Sequence, residues 1–575
     1  MRPQLAPRGY WFAGVSLLLL LCGAIFGSAP LATLGFAAGA ALLAAWMWFA
    51  PRTSEIFAGG VKLAWWLEPE AGAPRTLVVG RPMLLRAALR CHGKIPLGMA
   101  RLEPIAHPAL EVRGELSARL SPPSEIRLDA RVVPRAAGTH LLHGATLDLY
   151  DPLGLFRVQA YFPTPLRIAV LPRAMAAQPP LLAGAVMAQE RAGRRLAKRA
   201  GIGDELREIR EHAHGDPWKR IAWAATARTG QLMVRDFEMD VTWTYHIVVD
   251  ATAAARRGAP GETALDCAIE GATALARAAI AQGDRVALTV FAPRVLAELA
   301  PADGPAHLVR IVAALLEAVR PVDDDLTDVT EGELAAAVAR YLRHQEGTET
   351  QLDRAPALDD PAWSRIVTGP RGDLYDLHAL GRACRNLLPP KDAPVIAGDP
   401  DIAALRRFCR WRAIDLPPRA LGARDHATAV AEALARAALP RTARAIVLFS
   451  PLGKELEDAP ARWHEPLERT LGLLRRRRHR LTAIIPASAE PPADIAQTPE
   501  GAALALWARA DRYRAEEAAR RLRTLGATAV VAGVNESPAL FLTRRADFIR
   551  LSVPQGGTGL YGDDYHRGMH QLRGL

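Results

Sequence analysis

The sequence predicts an N-terminal transmembrane helical hairpin, then a small β-sandwich, then an α/β domain that carries a long insertion. Residues 9–51 contain no charged side chain. Short apolar runs separated by turn residues fill 60–175, and from 241 onwards apolar strands alternate with helices. A chain of 575 residues is also too long for one hydrophobic core, so several folded units are expected.

The predicted hairpin occupies residues 10–50. Two apolar stretches, 11–28 and 31–49, are separated by Pro30. Each approaches the roughly 20 residues that cross a bilayer as a helix, and a proline interrupts a helix. A cleaved signal peptide is the alternative, but it would not need the second apolar stretch.

Positive charge sets the expected orientation of this hairpin. Arg2 and Arg8 precede the first apolar stretch, Arg52 and Lys62 follow the second, and the turn between them has no cation. Both ends should therefore face the cytoplasm. We expect a multi-pass protein of a bacterial inner membrane, with the bulk of the chain in the cytosol. The five cysteines form no close pair, as is typical of a reducing compartment.

The β-rich region is predicted to span residues 60–175. Apolar runs with period-two alternation indicate strands. They lie at 76–79, 83–87, 110–112, 125–128, 146–150 and 166–170. Their short spacing favours a small β-sandwich.

The charge balance says little about function. The formal net charge is +11, and basic and acidic residues are mostly interspersed. This pattern favours an arginine-rich composition over a nucleic-acid surface, since no basic motif interleaved with aromatic residues appears. We expect no nucleic-acid partner.

A dense charged stretch, residues 201–237, follows an Ala-rich linker and is called the signature segment below; linker and segment together span 176–240. Its arginines and acids could form a structural ion-pair network, a partner surface or a catalytic cleft. His212 and His214 have no third ligand at useful spacing, so a metal site is not predicted here.

The signature segment resembles the bacterial family called domain of unknown function fifty-eight, whose members are membrane-anchored and von Willebrand A-like. The matching residues are Gly201, Gly203, Glu205, Arg210, Glu211, Gly215, Asp216, Arg220, Ile221, Trp223, Ala227, Arg228, Thr229, Gly230 and Leu232. Residues 151–156 and 170–173 also match the family pattern. The resemblance covers residues 10 to about 320 and about 425 to 490.

The resemblance implies a von Willebrand A-like domain built from residues 241–343 and 425–540. Strands are predicted at 245–250, 285–291, 443–450 and 481–486, with helices at 262–282, 307–319 and 462–476. Alternation of this kind predicts a mostly parallel sheet that binds ligands beyond its carboxyl edge. Between the two parts lies an expected inserted subdomain, 344–424, and a tail, 541–575, follows.

Domains of this class often hold Mg²⁺ through an Asp-x-Ser-x-Ser motif, a lone Thr and a later Asp. Here Asp250 and Thr252 supply oxygens, and Thr327 is the candidate for the lone Thr. Ala254 and Pro451 occupy two positions where the pattern needs ligands. We therefore expect a degenerate site with no cofactor, or weak Mg²⁺ binding at most.

The resemblance implies an adaptor rather than an enzyme. Family members are associated with MoxR-type AAA+ ATPases in complex assembly, protein maturation or envelope upkeep. The expected partner-binding residues are Glu205, Arg210, Gly215, Asp216, Arg220, Trp223 and Arg228. The alternative is a hydrolase that uses the acidic and histidine residues of 204–216, although no common hydrolase or phosphate-binding motif is present.

Overall fold

The computed structural model describes residues 3–59, 61–69, 77–91, 98–114, 116–119, 124–176, 200–213, 216, 218–238, 243–348, 350–352, 365–390, 394–440, 442–453, 463–491 and 493–533. The chain forms two compact units. The first contains residues 1–173, 258–262 and 316–420, and the second contains 174–257, 263–315 and 421–575. The expected tail, 541–575, lies outside the described residues.

The first unit begins with a short strand and two apolar helices: β1 (Gln4–Leu5), α1 (Pro7–Ile25) and α2 (Ala29–Gly59). Both helices are long and apolar enough to cross a membrane. They approach closely because glycines face the partner helix: a Cβ on Gly23 would lie 2.5 Å from Ala32 N, and one on Gly35 would lie 2.7 Å from Leu20 N. The predicted hairpin is thus present as two adjacent apolar helices.

Two β-sheets follow in the same unit. One has the order β2-β4-β8-β6, and the other has β1-β10-β9-β11-β3, with β5 and β7 attached through β9. The strands are β2 (Val61–Glu68), β3 (Leu77–Val78), β4 (Met83–Cys91), β5 (Met99–Ala106), β6 (Leu110–Arg113), β7 (Leu116–Arg119), β8 (Ser124–Pro134), β9 (Gly138–Tyr150), β10 (Phe156–Phe162) and β11 (Leu166–Leu171); the one-turn helix α3 (Arg173–Ala176) comes next.

The turn between β9 and β10 holds the start of α1. Asp151 organises this turn, because its carboxylate accepts the backbone N–H of Phe156 at 2.8 Å and of Leu153 at 3.1 Å. The turn's Leu155 carbonyl accepts the N–H of Ala6 at 2.8 Å. A Cβ on Gly9 would lie 2.1 Å from that same carbonyl oxygen. The first turn of α1 therefore packs directly on the β-region.

The second unit opens with the signature segment. Its elements are β12 (Ala200–Glu211), a 3₁₀ turn (Trp218–Arg220), α4 (Trp223–Thr229) and β13 (Met233–Glu238). β12 and β13 form an antiparallel pair in which Arg210 lies opposite Val234. Next come β14 (Thr244–Asp250), α5 (Ala253–Arg256), α6 (Ala264–Ala281), β15 (Arg285–Phe291), β16 (Val295–Ala302) and α7 (Pro305–Glu317).

Residues 316–420 return to the first unit. The inserted subdomain was predicted to begin at residue 344, whereas the boundary between the two compact units lies near residue 316. This segment contains α8 (Glu331–Tyr341), a π-helical turn (Leu342–Glu346), β17 (Gln351–Leu352), β18 (Ile366–Thr368), β19 (Leu374–Asp376), α9 (Leu377–Leu387) and α10 (Pro400–Trp411). Leu334, Leu380 and Phe408 lie in its own apolar core.

Polar contacts attach this segment to the β-region. The Asp415 carboxylate accepts Arg320 Nε at 2.6 Å and His107 Nε2 at 2.7 Å. Arg320 also donates to the Thr139 carbonyl at 3.0 Å. Burial raises the pKa of Asp415, but the hydrogen bonds and charges of His107 and Arg320 outweigh it and hold that pKa well below its usual range. The carboxylate is therefore ionised between its two donors.

Arg406 is a buried cation at the centre of the 316–420 segment. Its guanidinium donates to the Val322 carbonyl at 2.9 Å, to Thr327 Oγ1 at 2.6 Å and to Asp324 Oδ1 at 2.6 Å. The three acceptors lie in the connection that enters the segment, so Arg406 joins its start to α10.

The chain then completes the sheet of the second unit with α11 (Ala423–Ala437), β20 (Ala445–Phe449), α12 (Glu465–Arg476), β21 (Arg480–Ala487), α13 (Ala493–Ala496), α14 (Pro499–Thr524) and β22 (Thr528–Gly533). The strand order is β16-β15-β14-β20-β21-β22. Five strands are parallel, and β16 adds an antiparallel edge that the sequence analysis did not predict.

Helices cover both faces of this sheet. Ile446 and Leu448 of β20 pack in a core with α11, α12 and α14. A Cβ on Gly271 of α6 would lie 2.5 Å from the ring of Phe449, whose side chain points to the other face because successive strand residues alternate. The prediction of a mostly parallel sheet covered by helices is confirmed.

Replacing Arg406 with Ala should lower the free energy of unfolding by about 3–5 kcal/mol, because Asp324 and two buried acceptors lose their donor. Thermal unfolding of the purified protein in detergent measures the change. Arg382→Ala, at an exposed position on α9, is the control. Equal effects of the two substitutions would contradict this role for Arg406.

Candidate functional site

The central strand β14 ends in a buried carboxylate. Asp250 is its last residue and is 1% exposed. β14 lies between β15, the next strand in the chain, and β20, which follows the 316–420 segment. The strand order reverses here, and open α/β sheets bind ligands at the carboxyl edge of such a reversal.

Three donors surround the Asp250 carboxylate. Oδ1 accepts the backbone N–H of Thr252 at 2.9 Å. Oδ2 accepts Nε2–H of His426 at 2.6 Å and Oγ–H of Ser450 at 2.5 Å. His426 lies in the first turn of α11, and Ser450 directly follows β20. Both side chains are buried, so the cluster is closed to solvent.

These donors determine the charge of Asp250. Burial alone would raise the pKa of this carboxyl, but the charge and hydrogen bond of His426, together with the Ser450 and Thr252 hydrogen bonds, hold it below its usual range. Asp250 is therefore an anion in the folded protein. Its stabilising contribution is present above the pKa of the unfolded chain and is lost as the pH falls through the lower folded value.

The cluster does not fit the Mg²⁺ site that the family resemblance implies. A dication would need the oxygens of Asp250 that already accept three hydrogen bonds, and it would meet the imidazole of His426. Among the described residues, no group of three or more His, Cys, Asp or Glu side chains is arranged to hold a metal ion. The hydroxyl of Thr252 is buried and finds no hydrogen-bond partner among the described residues.

Thr327, the predicted lone Thr ligand, is engaged in hydrogen bonds within the first compact unit. Its hydroxyl donates to the Asp323 carbonyl at 2.9 Å and accepts from the Arg406 guanidinium at 2.6 Å. An oxygen that already binds a buried cation is not available to a metal ion.

The Asp250 cluster also lacks the geometry of a hydrolytic triad. In a triad the serine donates to the histidine, which in turn donates to the acid. Here Ser450 and His426 both donate to the same oxygen of Asp250. No base therefore activates the serine, and the arrangement is that of an anion held by donors.

A bidentate ion pair fixes the turn of the signature segment. Arg210 Nη1 and Nη2 each donate to Asp216 at 2.8 Å, and Ala213 N–H donates to the same carboxylate at 2.9 Å. The Arg210 hydrogen bonds and, next, that of Ala213 lower the pKa of Asp216 to about 2. Asp216 thus has a structural partner within the segment, as expected for an ion-pair network.

Two tryptophans of the signature segment are exposed. Trp218 and Trp223 are 69% and 65% exposed, and Ile209 and Leu232 are also exposed. In the same segment Ile221, Ala222, Ala225 and Val234 are buried. The ring of His212 lies 5.7 Å from that of Trp218.

The remaining predicted signature residues are distributed along this segment. Arg220 is half-buried, and Arg228 is exposed and donates to the Ala224 carbonyl at 3.2 Å. Glu205 belongs to β12, although its side chain is not among those described, and Gly215 and His214 lie outside the described residues.

Sequence reasoning found Asp250 but missed its partners. His426 is separated from it by 176 positions and Ser450 by 200. The one available signal was that Ser450 ends the predicted strand 443–450, at the edge where Asp250 also ends a strand.

The fold and site define a protein with two N-terminal apolar helices and an α/β domain whose central strand ends in a buried, hydrogen-bonded carboxylate. Residues 208–346 match the model of the family described as "Protein of unknown function DUF58". This region is therefore similar to the family, which confirms the resemblance predicted from the signature segment.

No curated protein matches the chain. The crystal structure of the FixG-related protein from Vibrio parahaemolyticus aligns with 19% of this chain and 95% of its own, at 8% identity and a TM-score of 0.14. A TM-score this low supports no structural or functional inference.

Replacing Asp250 with Asn should lower the free energy of unfolding by about 1–3 kcal/mol near neutral pH, because the donors lose an ionised acceptor. The difference from the unsubstituted protein should shrink as the pH falls below about 4, where Asp250 becomes protonated in the unfolded chain, and should vanish below the lower folded pKa. Thermal unfolding between neutral and acidic pH measures both effects. Asp303→Asn, at an exposed position, is the control, and a pH-independent difference for Asp250→Asn would contradict the assignment.

Proposed function

We propose that this protein is a membrane-anchored adaptor that binds a protein partner through its signature segment. The observation that carries the proposal is the exposure of Trp218 and Trp223 on a segment that is otherwise internally paired. Large exposed aromatic side chains are the residues that most often dominate the binding energy of protein interfaces.

The signature segment has the properties of a preorganised surface. The Arg210–Asp216 ion pair fixes its turn, and the backbone of Ala222 donates to the Met233 carbonyl at 2.8 Å, joining α4 to β13. A surface that is ordered before binding loses less conformational entropy on association. Arg220 and Arg228 place cations on the same short segment, where they would complement an acidic partner.

The α/β sheet supports a von Willebrand A-like assignment. It has five parallel strands and one antiparallel edge, and its central strand ends in Asp250 at the point where the strand order reverses. The family pattern places its ligand oxygens at this edge. In this chain we propose that the edge binds a partner without a metal ion, because His426 and Ser450 occupy the carboxylate.

The anchor in this proposal is the hairpin of α1 and α2. Two adjacent apolar helices flanked by Arg8 and Arg52 are typical of a multi-pass segment whose two ends face the cytoplasm. We place the protein in a bacterial inner membrane with most of the chain in the cytosol. The family resemblance favours a MoxR-type AAA+ ATPase as the partner, with a role in complex assembly, protein maturation or envelope upkeep.

Replacing both Trp218 and Trp223 with Ala should reduce recovery of the partner at least tenfold, because interface tryptophans often contribute more than about 2 kcal/mol each. The tagged full-length protein is purified from native membranes in mild detergent with ATP and Mg²⁺, and bound proteins are quantified by mass spectrometry. Leu439→Ala, at another exposed apolar position of the second unit, is the control.

Three outcomes are distinguishable. Loss of an AAA+ ATPase from the tryptophan variant alone supports both the adaptor role and the surface. Loss of a different protein supports the surface but contradicts the ATPase assignment. Equal recovery of every bound protein with the unsubstituted protein, the double tryptophan variant and the Leu439→Ala control contradicts the proposed surface.

A further inference from the structure

Helix α14 carries an exposed apolar stripe. Leu506, Trp507 and Tyr513 are 68%, 45% and 62% exposed, and Ala503 and Ala510 are also exposed. At 100° per residue, positions 503, 506, 507, 510 and 513 lie on one side of the helix. Another side is packed in the core of the sheet through Ala515, Ala518 and Leu522, which are all buried. The stripe is thus a second apolar face beyond the one that the fold requires.

Arginines lie beside the stripe. Arg509, Arg512 and Arg514 lie within 503–514, where Asp511 is the single acidic residue. Asp511 is buried and accepts both N–H and Oγ–H of Ser488, at 2.8 and 2.7 Å, so it faces away from the stripe. Three arginines therefore accompany the stripe, with Glu490 and Glu516 as exposed acidic neighbours.

The ion pairs of these arginines are weak. Arg509 lies 3.4 Å from Glu490, and Arg512 lies 3.5 Å from Glu516, with all four side chains exposed. Exposed pairs of this kind contribute little to stability. Both guanidinium groups can exchange these partners for phosphate groups at small cost.

We infer that the exposed face of α14 docks on an anionic lipid surface. Trp, Leu and Tyr side chains beside arginines are the combination that places a helix in the headgroup region, with its apolar side chains at the acyl boundary. Cations near an anionic leaflet strengthen such binding. The inference rests on the proposed membrane anchor, which keeps a bilayer near this unit.

The test places an environment-sensitive fluorophore on the stripe. Leu506→Cys is labelled in a full-length protein in which Cys22 and Cys91 are replaced by Ser; Cys267, Cys384 and Cys409 are buried. Val309→Cys, at an exposed position on α7, is the matched control. Each protein is placed, one copy per disc, in nanodiscs of phosphatidylcholine alone or mixed with phosphatidylglycerol.

The expected result is a blue-shifted emission from position 506 in discs that contain phosphatidylglycerol. Spin-labelled lipids should quench that emission, and position 309 should show neither effect. Adding Arg509→Glu and Arg512→Glu should abolish the shift, since the two introduced carboxylates carry the same sign of charge as the lipid and are repelled by it.

Two results would overturn the inference. A probe at 506 that stays solvent-like in both lipids shows that the face does not reach the membrane. A probe that is blue-shifted in both lipids yet resistant to quenching shows that protein, such as another segment of this chain, covers the face.

Failure of the anchor is distinguishable from failure of the α14 contact. A chain that does not enter the discs contradicts the proposed hairpin anchor. The same labelled protein mixed with phosphatidylglycerol vesicles then reports on α14 alone, and a solvent-like probe there overturns the docking inference.

Discussion

A buried charge at the carboxyl end of β14 holds the second unit together. Asp250 cannot reach water, so its ionised form persists only while Thr252, His426 and Ser450 supply hydrogen bonds. Two of these donors come from chain that follows the 316–420 segment. The carboxylate therefore joins the two parts of the α/β unit that this segment separates in sequence.

In the first unit, a buried cation joins parts of the chain that are distant in sequence. Arg406 is a buried cation that binds acceptors at the start of the 316–420 segment, and Asp415 pairs with Arg320 and His107 to attach the segment to the β-region. In both units, a buried or half-buried charge with directional partners thus joins segments that are far apart in sequence. Unlike apolar contacts, such partners specify one arrangement, because removing any of them leaves an unpaired group.

Local patterns were sufficient to predict several elements. The apolar stretches 11–28 and 31–49 became α1 and α2, and the strand predicted at 285–291 has the same bounds as β15. These elements follow from hydrophobic length and period, which are properties of neighbouring residues. The edge strand β16 was missed because half-buried edge strands have a weak apolar pattern.

The site depended on contacts that local sequence does not encode. Asp250 was identifiable as the end of a strand, but nothing near it indicates that His426 donates to its carboxylate. Thr327 was assigned by order along the chain, and the structure shows that its hydroxyl binds Arg406 instead. Family patterns give the residue types of a site, whereas burial and hydrogen bonds decide which of them remain available for a ligand.

The start of α1 has a mechanical consequence. β1 is paired with β10, one residue separates β1 from the helix, and Gly9 lies against the carbonyl of Leu155. A torque on the β-region would therefore pass into the first helix through the hydrogen bonds between β1 and β10, because no flexible linker separates the two. Such a joint is stiff, so a force on this unit would tilt the helix before it stretched the chain.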